Sequence, residues 1–103
     1  MFVRCWTSEE KPVLQVRWSD EAGLDLVEIV DYIEQRDTFA SARLHEEIVQ
    51  AAERLSDVPY LYRIGKVAGT REVVVRPNYL IVYRVTTDSV DVLRVLHARQ
   101  KYP

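Results

Sequence analysis

The sequence predicts an α+β domain of order β-α-α-β-β-β, an antiparallel two-helix hairpin packed on one face of a curved, mainly antiparallel four-stranded sheet. Three observations predict it. One short alternating run is followed at once by a helix-capping serine, two segments carry apolar residues at three- and four-residue spacing, and three β-rich runs close the chain with short connectors between them.

Met1 to Pro12 mixes polar and charged groups around Phe2 and Trp6 without a period, and reads as an N-terminal extension, residues 1–12, to a single domain spanning 13–103. Val13 to Trp18 alternates, with Leu14, Val16 and Trp18 forming one apolar side, as a strand with one buried face does. Ser19 then supplies an N-cap and Asp20 and Glu21 an acidic first turn, so a helix starts there. Its apolar stripe runs through Ala22, Leu26, Ile29, Val30 and Ile33, while Asp25, Glu28, Asp31 and Glu34 lie off it. Asp37 and Thr38 break the pattern and offer a second cap. A second stripe follows through Ala42, Ile48, Val49, Ala52 and Leu55 and stops before Pro59. His45, at helical spacing between Ala42 and Ile48, reads as a partly buried helix residue. Tyr60 to Gly69 holds two of the three glycines and reads as a loop able to approach a partner closely. The β-rich runs Arg71 to Arg76, Tyr79 to Val85 and Val90 to Leu96 complete an antiparallel meander.

At 103 residues with 48% hydrophobic content, the chain has enough apolar mass for one core. No stretch reaches the roughly 18 uninterrupted apolar residues of a membrane span and no secretory leader opens the chain, so a cytoplasmic protein is expected. The single cysteine, Cys5, has no intramolecular partner for a disulfide. The net charge of −2 conceals an asymmetry: residues 1–62 carry 6 Lys/Arg against 13 Asp/Glu, whereas residues 63–103 carry 8 against 3. A basic half of this kind suits an anionic partner, either nucleic acid or an acidic protein segment.

In an antiparallel meander the end of the first run, the start of the second and the end of the third share one edge. Arg76, Asn78, Tyr79, His97 and Arg99 therefore gather there, with Lys101 and Tyr102 following. Such a cluster could cleave RNA without a metal, His97 or Tyr102 moving protons and Arg76 and Arg99 offsetting charge on the phosphate. Ordinary surface cations at a sheet end are the alternative reading. His45 and His97 fall in different elements with no cysteine partner, so no metal is expected. Gly23, Gly65 and Gly69 make no phosphate or dinucleotide loop, so no cofactor is expected either.

The run Gly69-Thr70-Arg71-Glu72-Val73-Val74-Val75, the Asn78-Tyr79 pair leading into Tyr83-Arg84-Val85, and the ending Val92-Leu93-Arg94-Val95-Leu96-His97-Ala98-Arg99-Gln100 resemble the RelE/ParE toxin superfamily. Trp18, Ala22, Asp25, Leu26 and the Tyr32-Ile33 pair resemble it too. The resemblance implies a bacterial toxin neutralised by a cognate antitoxin that wraps it. It also implies one of two targets: nuclease members cut messenger RNA in the ribosome, and ParE-like members poison DNA gyrase. In the nuclease case Arg76, His97, Arg99 and Tyr102 would be catalytic, and Arg63, Lys66, Arg71, Tyr79 and Lys101 would contact the target. Nuclease members, however, usually carry an arginine directly after the aromatic of the third strand, where Leu80 stands here. Glu72 and Val74 likewise occupy positions where lysines would sit. Losing cations that face a scissile phosphate weakens transition-state stabilisation, so the resemblance leans to gyrase. A third reading is a degenerate toxin that only pairs with its antitoxin.

Overall fold

The computed structural model describes residues 14–75 and 78–97. The expected N-terminal extension, Cys5, Arg76, Arg99, Lys101 and Tyr102 lie outside these described residues. The elements are β1 (Gln15–Trp18), α1 (Asp20–Glu34), α2 (Thr38–Arg54), β2 (Arg63–Ile64), β3 (Arg71–Val75), β4 (Tyr79–Val85) and β5 (Ser89–His97).

Both helices begin where side chains can satisfy their first amides. The Ser19 hydroxyl accepts from the Ala22 amide at 3.0 Å, and the Asp37 carboxylate accepts from the Ala40 amide at 3.1 Å. Between them, residues Gln35 to Asp37 turn the chain back, and the two helices pack on each other. Ala22 and Leu26 of α1 and Leu44, Ile48, Ala51 and Ala52 of α2 are buried against Val73, Val75, Ile81, Tyr83, Val90, Val92 and Val95 of the sheet. Burying each of the larger side chains contributes about 1.5–3 kcal/mol. Ala42 and His45, both expected to lie on the inner side of α2, are exposed. The stripe instead runs through Ser41, Leu44, Ile48, Ala51 and Leu55, rotated by one position in the first turns.

The sheet has five strands in the order β1-β5-β4-β3-β2 rather than the expected four. The added strand, β2, comes from the segment expected to be loop. It pairs antiparallel with β3 through Arg63 opposite Glu72 and Ile64 opposite Arg71, and at two residues it is too short to register as an alternating run. The turn beyond it is tight: the Gly65 amide donates to the Thr70 carbonyl at 2.8 Å, and Gly69 adopts a φ of +81°. β3, β4 and β5 form the expected meander, with a register shift opposite Val82 and Tyr83.

β1 runs parallel to β5, Gln15 opposite Ser89 through Trp18 opposite Val92; the helix hairpin is the crossover that a parallel pair requires. β1 covers only the first four residues of β5, and from Val92 onward the Ser19 cap and a side chain of α1 continue the ladder. The Ser19 amide and hydroxyl donate to the carbonyls of Val92 and Leu93, both at 2.9 Å, and the Asp25 carboxylate accepts from the Val95 amide at 3.0 Å. Arg94 closes on the same carboxylate, its Nε and Nη2 donating at 2.7 and 3.0 Å. A fully buried tyrosine ties the sheet to the chain after α2: the Tyr83 hydroxyl donates to the Pro59 carbonyl at 2.7 Å.

Candidate functional site

Register brings Tyr79, the first residue of β4, opposite His97, the last of β5. Their rings meet edge to face, 5.4 Å between centroids and 80° between planes. Two of the three described members of the expected rim cluster thus stand together, and the third, Asn78, is exposed in the turn before Tyr79. Val75 opposite Tyr79 ends β3 one residue before Arg76.

Beside this pair a cleft of about 240 Å³ opens between α1 and the sheet. Asp25, Glu28, Ile29 and Tyr32 line it from the helix, and Tyr79, Val95 and His97 from the strands. The helical contribution is not among the sequence-predicted site residues, Asp25 and Glu28 being placed only off the apolar stripe. Its signal was present all the same. Positions 25, 28, 29 and 32 stand at i, i+3, i+4 and i+7, a stripe of their own beside the buried one. Asp25 is in fact mostly buried, its side chain 13% exposed and engaged by Arg94.

Arg63, Lys66 and Arg71, expected to contact the target with Tyr79 and Lys101, stand at the opposite end of β3 from Tyr79. Part of the positive charge at this end is engaged within the fold. Arg63 lies 3.0 Å from the buried carboxylate of Glu72. Arg71 donates to the carbonyl of Tyr62 at 2.8 Å and stacks over the Tyr60 ring at 5.0 Å. Lys66 is exposed, as are Tyr60, Leu61 and Ile64 around it.

Two local charge effects belong to the scaffold. Arg17 donates to Asp91 at 3.1 Å and holds its carboxyl below the usual carboxylate range, and the Ser89 hydroxyl also donates to it, at 2.8 Å. Burial pushes the Tyr83 hydroxyl above its ordinary value, against a smaller opposing effect of Arg71. Among the described residues no three His, Cys, Asp or Glu side chains converge as a metal ion would need, and no helix is long and apolar enough to cross a membrane.

Comparison with known proteins adds a lineage to this geometry. A family model described as the ParE toxin of the type II toxin-antitoxin system, parDE, matches residues 16–102. A candidate toxin of Sinorhizobium fredii, Y4kP, is 39% identical over 90 residues, covering 86% of this chain and 93% of its own. Toxin RelE2 of Caulobacter vibrioides is 38% identical over 84 residues, covering 82% and 94%. Among solved structures, the chromosomal ParDE toxin-antitoxin system from P. aeruginosa aligns with a TM-score of 0.76 at 20% identity, over 82% of this chain and 96% of that one. The RelBE2 toxin-antitoxin complex of Mycobacterium tuberculosis aligns with a TM-score of 0.57 at 24% identity, over 82% and 98%. At these identities the structures establish a shared fold.

Proposed function

This chain belongs to the ParE toxin family of type II toxin-antitoxin systems, and from that premise we propose that it arrests growth by binding DNA gyrase in the cytoplasm, without catalysis of its own. The observation that carries the proposal is the state of the strand where a nuclease of this superfamily would hold phosphate. Glu72 stands on β3 buried and paired to Arg63, Val74 is half exposed beside it, and Leu80 occupies the position after the β4 aromatic. A carboxylate and two aliphatic groups offer nothing to offset charge developing on a scissile phosphate. Purified chain added to gyrase is expected to inhibit supercoiling or trap cleaved DNA at micromolar concentration; an inert result removes this reading.

The cognate antitoxin is expected to engage the basic half through an acidic segment. The outer edge of β2 supports this, since Lys66 lies among exposed Tyr60, Leu61 and Ile64 at the sheet's margin. Association should slow as salt rises. Inducing the chain alone should stop growth, and co-expressing the neighbouring gene should restore it.

One observation favours a second reading, a ribosome-dependent messenger RNA endonuclease. The Tyr79 and His97 rings meet at the sheet end that the chain enters after Arg76 and leaves before Arg99. Mapping messenger 5′ ends after induction distinguishes the two: cuts in the ribosomal A site support the nuclease, and their absence rejects it.

A further inference from the structure

We infer that the cleft between α1 and the β4–β5 end is a receptor for a cationic side chain, an arginine or lysine that a partner protein inserts between Glu28 and the rings of Tyr32 and Tyr79. The inference does not depend on which target the toxin attacks.

Charge comes first. α1 carries six carboxylates and no Lys or Arg along Asp20–Glu34. Of those facing the cleft, Asp25 is committed to Arg94 and to the Val95 amide, whereas Glu28 is exposed and makes no ion pair among the described residues. An unpaired carboxylate at the mouth of a concave, partly apolar site attracts a cation more strongly than one on an open helix face, because the walls exclude part of the screening water.

The ring chemistry points the same way. Tyr32, 57% exposed, stands one turn after Glu28 on the same side of the helix, and Tyr79 faces it from the sheet. A planar guanidinium can rest on an aromatic face while donating to a carboxylate at its edge. The chain already makes each half of that arrangement at the cleft's margins. Arg36 places its guanidinium 4.2 Å from the centroid of Tyr32, and Arg94 makes a two-pronged contact with Asp25. The site proposed between them joins both contacts on one incoming side chain. Leu24, one turn before Glu28 and 62% exposed, gives the partner's backbone an apolar rim to lie against.

The charge also excludes the obvious competitor. A nucleotide would stack on the same rings but would bring phosphate toward a helix of six carboxylates. The acidic cleft and the exposed Lys66 at the β2 margin carry opposite charges, and a single partner can address both.

The test is a titration of the full chain, followed by amide chemical shifts, with an acetylated and amidated Gly-Gly-Arg-Gly-Gly peptide. Saturable shifts are expected at residues 25–32, 79 and 95–97. Glu28→Gln should weaken binding about fivefold, whereas Glu53→Gln at the far end of α2 should leave it unchanged. Replacing the arginine of the peptide by citrulline, which keeps the shape and removes the charge, should abolish saturation. Shifts that do not saturate, that occur equally with citrulline, or whose affinity is unchanged in Glu28→Gln would overturn the proposal, as would saturable binding of adenosine monophosphate at these residues with none by the arginine peptide.

Discussion

The two ends of the sheet use charge in opposite ways. At the β2–β3 end a buried glutamate and two backbone carbonyls absorb the arginines, so Arg63 and Arg71 mainly hold the edge strand in place. At the β4–β5 end one arginine, Arg94, is likewise absorbed by Asp25, yet the neighbouring helix turn leaves Glu28, Tyr32, Tyr79 and His97 lining an open cleft. Of the five described cations in the basic half-chain, Arg63, Arg71 and Arg94 are engaged within the fold, while Lys66 and Arg84 are exposed. What a partner meets is the charge left over after the scaffold has been held together.

Five substitutions would break or sharpen this contrast. Ile48→Ala opens a cavity beneath both ends and should cost about 3 kcal/mol, with amide exchange accelerated in β3 and β5 alike; an effect confined to one end would show that the two do not share a core. Asp25→Ala removes an acceptor from Val95 and the partner of Arg94 together, and should cost about 2 kcal/mol. Its exchange signature should be loss of protection at Val95 with β2 and β3 unaffected. Arg63→Ala should cost about 1 kcal/mol, discounted because the arginine is largely exposed, and should free the β2 edge while the cleft keeps its shape. Equal loss in the two last variants, measured by denaturant midpoint, would erase the distinction drawn between the ends.

The smallest effect is that of pH on Asp91. Its carboxyl titrates below the ordinary range in the folded chain, so its contribution is present above the unfolded value of about 4 and fades as pH falls through the lower folded value. Asp91→Asn should flatten the acid limb of the stability profile without changing its alkaline limb. On the alkaline side Tyr83 contributes, its raised value making that contribution complete below about pH 10 and lost as pH rises through the folded value. Tyr83→Phe should flatten that side instead.

Much of this fold was legible because it rests on local chemistry. Ser19 and Asp37 are caps in sequence and in structure, and the one alternating run and the three β-rich runs became β1, β3, β4 and β5. What could not be read was set by partners distant in the chain. β2 exists because Glu72 and Arg71 offer it a register, Ala42 and His45 face solvent because Leu44 and Ser41 take the inner positions, and Asp25 is buried because β5 outruns β1. The meeting of Tyr79 and His97 followed from meander geometry alone. The cleft beside them did not, since its helical wall is the stripe that looks, in one dimension, like a solvated acidic face.

The central claim, a toxin that binds its target instead of cutting RNA, is tested most directly by gyrase supercoiling in the presence of the purified chain and of its His97→Gln variant. The account predicts inhibition by both at concentrations within about twofold of each other, since no proton transfer is involved. Undisturbed supercoiling, together with messenger cleavage that the variant abolishes, would contradict it.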